Sequence, residues 1–363
     1  MNDFEMKHLF ALIMAGGRGT RFWPLSREHR PKQLLALAGP TALLRETVDR
    51  IQPLVPSERI LVVTGAAHAG AVAEMLPELP PANVLAEPVG RNTAPCIGLG
   101  AHWVMQRDQE GLMLVLPADH AITRPDAFRA VAAAGLQSAW ERKTLVTLGL
   151  KPDRPETGYG YIEAGSEGAS LQGFQVLPVI RFHEKPTPEE ARAYLATGRF
   201  YWNSGIFIWP ARVILEWIKR LLPDLAMELN ELASGLGGSV FETMMAERYR
   251  RLPAVSIDYG VMERAKGALV LPADFGWSDV GSWRAAAEYW PRREGHAAQA
   301  RVVSVDSTGC LVYSPDKLVA LVGVTDLVVV ETPDALLICA KNRDQDVRRV
   351  VEALEKSGRL DLL

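Results

Sequence analysis

One short stretch constrains this chain more than any other: Ala15-Gly16-Gly17-Arg18-Gly19-Thr20-Arg21-Phe22-Trp23-Pro24-Leu25-Ser26, followed by Pro31-Lys32-Gln33. It comes directly after the apolar run Leu9–Met14, which reads as a buried strand. Glycines at 16, 17 and 19 let the backbone turn sharply and approach a ligand closely. Successive N–H groups in such a turn form an anion-binding concavity, and Arg18, Arg21 and Lys32 add cations to it. The loop suits a polyphosphate. It is not a Walker loop, because Arg21 stands where the pattern would require Gly-Lys-Ser/Thr to begin. Nor is it a dinucleotide fingerprint: counted from Gly17 and Gly19, the third glycine is replaced by Phe22.

With 363 residues, the chain is long enough for one large domain and a smaller one. Forty basic residues against 43 acidic ones give a net charge of −3. That balance lacks the basic excess expected of a protein that binds nucleic acid or an anionic membrane. No segment approaches the roughly 18 uninterrupted apolar residues of a membrane span. The start, Met1-Asn2-Asp3-Phe4-Glu5, carries acids in place of a basic leader, so a cytoplasmic protein is expected. Cys96, Cys310 and Cys339 are far apart, show no metal-ligand spacing, and read as reduced thiols.

The first half alternates apolar runs with helical patterns. Strands are expected at Leu9–Ala15, Ile60–Thr64, near Val84-Leu85, at Leu112–Leu116 and at Thr144–Leu150. Helices are expected at Leu43–Ile51, Ala66–Leu76, from about Ala94 with Thr93 as its cap, and at Asp126–Trp140. This alternation implies a Rossmann-like three-layer α/β sandwich, a mainly parallel mixed sheet with helices on both faces. The glycine loop, the Glu87–Pro95 loop and Asp119 each follow a strand. Ligands of open α/β sheets bind outside the carboxyl ends of strands, so these loops are expected along one rim. From Lys151 the pattern is mixed, with a strand at Val176–Phe182 and a helix at Pro188–Thr197. The polar stretch Pro291–Gln299 suggests a boundary between domains 1–290 and 291–363. Beyond it come short β-like runs, among them Cys310–Tyr313 and Leu318–Leu321, and a charged helix at Asp344–Lys356.

Further motifs accompany the loop: Glu87-Pro88-Val89-Gly90-Arg91-Asn92-Thr93-Ala94-Pro95, Leu116-Pro117-Ala118-Asp119-His120, Thr157-Gly158-Tyr159-Gly160-Tyr161-Ile162, Glu184-Lys185-Pro186, Trp202-Asn203-Ser204-Gly205-Ile206-Phe207 and Trp277-Ser278-Asp279-Val280-Gly281-Ser282-Trp283. In this order, from about residue 9 to 285, they closely resemble the sugar-1-phosphate nucleotidyltransferases. The resemblance implies the nucleotide-diphospho-sugar transferase type of fold, a small β-helix-like C-terminal module that supports a homodimer, and no room for the isomerase domain that some relatives carry. It points to the branch joining GTP to α-D-mannose 1-phosphate, with GDP-mannose and pyrophosphate as products. The same fold acting on glucose 1-phosphate with a thymidylyl or uridylyl group, and a catalytically silent nucleotide-sugar regulator, are the alternatives. A silent relative would be expected to lack Lys32, Asp119, Lys185 or Asp279, and all four are present.

A sugar phosphate has a second pKa near 6 and is already the nucleophile, so neither a catalytic histidine nor a Ser-His-Asp set is sought. The chemistry needs in-line positioning and neutralisation of the charge on the α-phosphate and the leaving pyrophosphate. Asp119, directly after a strand, is the candidate Mg²⁺ ligand, since Mg²⁺ takes one or two carboxylates plus phosphate oxygens and water. The resemblance supplies Asp279 as the second carboxylate, with Asp274 as runner-up. It also places Arg18 and Lys32 on the triphosphate, and Lys185 on the phosphate of the sugar phosphate. Gly16, Gly17, Gly19, Thr20, Arg21, Arg91, Asn92 and Thr93 are expected to bind nucleotide. Gly158, Glu184 and Asn203 are expected to bind the sugar, with Glu163 and Asp258 as weaker candidates.

Overall fold

In the computed structural model, which describes residues 7–363, the chain forms two compact units. The acidic start Met1–Glu5 lies outside the described residues. The first unit comprises residues up to Gly16, Asp49–Pro117 and Ile122–Trp277. The second gathers Gly17–Val48, Ala118–Ala121 and Ser278–Leu363. Both units gather segments that lie far apart in the sequence. The reason is packing: Phe22, Trp23, Leu35, Leu37 and Leu43 share one apolar core with Trp283, Trp290, Leu311, Val328, Val330 and Val347.

The first unit is built on a ten-stranded mixed sheet. Its strands are β1 (Leu9–Ala15), β2 (Ile60–Gly65), β3 (Val84–Glu87), β4 (Leu112–Pro117), β6 (Val146–Leu150), β7 (Tyr161–Ala164), β8 (Ala169–Leu171), β9 (Phe174–His183), β10 (Phe200–Pro210) and β11 (Leu269–Ala273). The order is β3-β2-β1-β4-β10-β6-β11-β9-β7, with β8 paired to β9. Strand β5 (Ala121–Ile122) and strand β12 (Trp277–Ser278) are two-residue pieces where the chain passes from one unit to the other.

β1 to β4 are parallel to one another, so their carboxyl ends fall on one edge of the sheet. β10 runs antiparallel to both of its neighbours, β4 and β6. Continuous apolar strands such as Leu9–Ala15 are buried on both faces, as a sheet covered by helices requires. The register shows those two faces. Ile208 pairs Leu114, which pairs Ala11, so these three side chains share a face and Leu12 points to the other. A Cβ on Gly135 of helix Pro125–Arg142 would meet Ile208 at 2.7 Å, while one on Gly100 of helix Thr93–Arg107 would meet Leu12 at 2.8 Å. The two helices cover opposite faces, which gives three layers.

The second unit carries a five-stranded sheet: β13 (Arg292–Arg293), β14 (His296–Val305), β15 (Leu311–Val322), β16 (Leu327–Glu331) and β17 (Leu336–Ala340). β14, β15 and β16 are parallel neighbours, while β17 is antiparallel to β16. The chain then makes a 3₁₀ segment at Lys341–Val347 and the helix Arg348–Lys356.

Candidate active site

The glycine loop, Lys32, Asp119 and Asp279 belong to the second unit. There the loop is held from below by aromatic packing. Phe22 meets Trp283 edge-on with ring centroids 5.1 Å apart, and Trp23 donates its indole N–H to the Leu362 carbonyl at 2.8 Å. Gly19 has φ +61, and a Cβ on it would stand 2.4 Å from Lys32 Cβ. Only glycine lets the loop cross the Lys32 backbone so closely. Ser26 Oγ donates to the Gly19 carbonyl at 2.8 Å and fixes the crossing.

Lys32 is only 7% exposed. Its ammonium donates to Asp119 Oδ2 at 2.8 Å and to the Asp279 main-chain carbonyl at 2.5 Å. Burial pushes the Asp119 carboxyl up, but the Lys32 charge, then His120 and hydrogen bonds, outweigh it and hold the group below the usual range. His120 Nε2 stands 3.9 Å from the other Asp119 oxygen. Asp279 accepts the Gly281 N–H at 3.1 Å, and the residue between them, Val280, sits at φ +45. A β-branched residue in that region is strained, a cost that tends to be kept where it aims a neighbouring group.

These residues line a cleft of about 410 Å³ with Thr20, Arg21, His120 and Arg348. Arg21 spends one N–H on the Gly281 carbonyl at 3.3 Å. Arg18 turns away from this cleft: it pairs with Glu28, and with Glu355 at 3.1 Å. No group of three or more His, Cys, Asp or Glu side chains suited to a metal occurs among the described residues. The chemistry of the donor set nonetheless fits Mg²⁺, because Asp119, held ionised, and the Asp279 side chain are the one or two carboxylates that this ion takes alongside phosphate oxygens. The runner-up Asp274 is a surface residue of the first unit, paired with Arg124.

The first unit holds a second cluster, formed by the end of β9, the bulged part of β10 and the turn at Asp258–Met262. Asn203 donates to Asp258 Oδ1 at 2.9 Å and accepts the Gly205 N–H at 3.0 Å. Glu184 N–H donates to Glu263 Oε1 at 2.9 Å. Glu184 Oε2 is buried with no hydrogen-bond partner among the described residues, and a Cβ on Gly160 would lie 2.2 Å from it. Burial, then the charge of Asp258, pushes Glu184 up to about 7 against the opposing pull of Lys185. Burial likewise takes Asp258 to about 6, with the Asn203 hydrogen bond opposing. Lys185 is exposed at φ +52, directly before Pro186. Gly158 donates its N–H to Glu156 at 3.0 Å, next to Tyr159, which packs edge-on against Trp202. An array of acceptors with one orphaned oxygen suits a polyhydroxylated ligand, and Lys185 suits its phosphate.

Glu163 does not belong to this cluster. Its carboxylate pairs with Arg181 at 3.5 Å and Arg199 at 3.4 Å. Glu263 was not anticipated from the sequence, since an acid five residues after Asp258 carries no signal without the turn between them. The Arg91-Asn92-Thr93 stretch also lies in the first unit. Asn92, at φ +65, caps the helix by accepting the Thr93 N–H at 2.9 Å. Thr93, the expected cap, is instead the first helical residue, and its Oγ1 accepts the Ile257 N–H at 2.8 Å. Arg91 donates to the Arg250 carbonyl.

The second unit thus holds a phosphate loop after β1 and an ionised aspartate after β4, and the first unit holds an acid–asparagine–lysine cluster. A family model described as nucleotidyl transferase matches residues 10–292, and one described as MannoseP isomerase/GMP-like beta-helix domain matches residues 300–354. The chain belongs to the nucleotidyl transferase family. Within it, the similar curated proteins include the Escherichia coli K12 mannose-1-phosphate guanylyltransferase, 43% identical over 97% of this chain and 74% of that protein. The Xanthomonas campestris xanthan biosynthesis protein XanB is 39% identical over 98% of this chain and 75% of its own length. A crystal structure from Thermus thermophilus, described as mannose-1-phosphate geranyltransferase, superposes with a TM-score of 0.85 at 38% identity, covering 96% of this chain and 99% of that one.

Proposed function

We propose that this chain transfers GMP from GTP to α-D-mannose 1-phosphate, giving GDP-mannose and pyrophosphate. The observation that carries the reading is the Lys32–Asp119 pair on the floor of the glycine loop, with Asp279 beside it. The family membership and the names of the relatives support the substrates.

The sugar phosphate is the nucleophile, so the protein binds, orients and neutralises. The Gly16–Thr20 turn offers main-chain N–H groups, and Arg21 and Lys32 offer cations, to the triphosphate. Arg18, in the same loop, is paired with Glu28 and Glu355 outside the cleft and reaches the leaving pyrophosphate only by exchanging those partners. Arg91, Asn92 and Thr93 hold the helix start that borders the nucleoside. Asp119 and Asp279 would hold Mg²⁺, which would supply positive charge to offset that of the phosphates. Lys185 binds the phosphate of the sugar phosphate; Glu184, Asn203 and the Gly158 backbone take the sugar hydroxyls. Asp258 orients the Asn203 amide for that task.

We further infer a homodimer and a cytoplasmic setting. The supporting observation for the dimer is an apolar furrow on β15–β17, where Leu318, Val322, Leu336 and Ile338 are each more than half exposed. For the setting, Cys96, Cys310 and Cys339 are all free thiols, and the proposed substrates are cytosolic polyanions. No helix among the described residues is long and apolar enough to cross a membrane.

The test is pyrophosphate release across four nucleoside triphosphates and several hexose 1-phosphates with Mg²⁺. Turnover should be highest with GTP and mannose 1-phosphate. Equal rates with every pair, or none with this one, overturn the reading.

A further inference from the structure

The last helix, Arg348–Lys356, lies beyond every motif that carries the proposed reaction. Yet three of its residues, spaced by three and four, face the surroundings of the glycine loop. Arg348 lines the phosphate cleft with Gly19, Thr20, Lys32, Asp119 and Asp279. Val351, 8% exposed, packs into the core that holds Phe22 and Trp23. Glu355 binds Arg18 at 3.1 Å. Spacings of three and four put side chains on one helical face. The neighbours Arg349, Glu352 and Lys356 are exposed and outside the cleft lining.

The cations of the cleft differ in what they have left to offer. Lys32 is engaged by Asp119 and by the Asp279 carbonyl, and Arg21 gives one N–H to Gly281. The Arg348 guanidinium makes no hydrogen bond or ion pair among the described residues; it only feels the nearby charge of Asp346. A nucleoside triphosphate brings three to four negative charges, more than Lys32, Arg21 and a bound Mg²⁺ offset once Asp119 and Asp279 are counted. A guanidinium matches phosphate with a two-pronged donor fork.

We propose that Arg348 is a nucleotide-binding residue, whose guanidinium binds the polyphosphate of the nucleoside triphosphate in the glycine-loop cleft. The C-terminal helix thereby completes the nucleotide site instead of only bracing it. This rests on the reading of that cleft as the triphosphate site.

The experiment is titration calorimetry of the full chain with GTP, and separately with mannose 1-phosphate, in Mg²⁺. It compares wild type, Arg348→Ala, Arg348→Lys and the control Arg349→Ala. A lost charge-assisted contact predicts a GTP affinity about tenfold weaker in Arg348→Ala, with partial recovery in Arg348→Lys. Mannose 1-phosphate affinity, the melting temperature and the Arg349→Ala values should match wild type. Wild-type GTP affinity in Arg348→Ala overturns this inference alone. Absence of GTP binding in the wild type overturns the functional reading, and this inference with it.

Discussion

Asp119 is held ionised by Lys32, whose charge outweighs the cost of burying the carboxylate. Replacing Asp119 by Asn removes the carboxylate but keeps its shape, and leaves the Lys32 ammonium with the Asp279 carbonyl. Turnover with Mg²⁺ should fall by more than about 100-fold, given that even outer partners of a metal ligand are worth 10–100-fold. Far-ultraviolet circular dichroism should be unchanged; a near-normal rate would remove Asp119 from the metal site. Glu184 gives a pH prediction. Its folded pKa of about 7 exceeds the unfolded value of 4.5, so the folded state binds more protons between those values. Stability from this group is full below about pH 4.5 and is lost as pH rises through about 7. Glu184→Gln stays neutral, so its melting temperature should exceed wild type at pH 8 and converge with it at pH 5. A constant offset across that range would contradict the assignment.

At the scale of elements, local sequence rules carry far where one face of an element is plainly apolar. Leu9–Ala15, Leu43–Ile51 and Pro188–Thr197 form with the expected bounds, the last with a full capping box at Thr187 and Glu190. The reading broke the run Leu311–Val322 in two, because Pro315 and Asp316 are turn formers. In the structure it is one strand: the register with β14 jumps from Ala300–Ser314 to Arg301–Leu318, and a bulge absorbs the intervening residues. The helix cap shows a similar limit. Asn92 beats Thr93 because it tolerates a positive φ while its side-chain oxygen accepts the N–H of the next residue, Thr93. Asn92→Ala should cost about 1 kcal/mol in chemical denaturation. Gly19→Ala should cost at least about 1 kcal/mol for its positive φ, and should also raise the KM for GTP by displacing Lys32. An unaltered KM would mean that the loop does not depend on that crossing.

At the scale of the whole molecule, the type of fold was legible, because strand–helix alternation survives any detail of packing. The family's motifs were legible too, and they supply the candidate site residues whose roles are proposed above. What could not be read was their partition: Lys32, Asp119 and Asp279 in one compact unit, Glu184, Lys185 and Asn203 in the other. Neither periodicity nor turn chemistry reports which distant segments share a core. The exposed furrow on β15–β17 makes a prediction at this scale. Val322→Glu with Ile338→Glu should convert a sedimenting dimer to monomer with little change in melting temperature, since both side chains are already in water in the single chain. An unchanged sedimentation coefficient would remove this face from the interface.

The patchwork of segments in the second unit also dictates when the enzyme can mature on the ribosome. The phosphate loop emerges long before Trp283, Val328 and Val347, which share a core with its aromatics. At about 5–20 residues per second, the nascent loop waits tens of seconds with Phe22 and Trp23 uncovered. Chaperone occupancy of the growing chain should therefore begin once Phe22 and Trp23 emerge and last until Val347 has followed them.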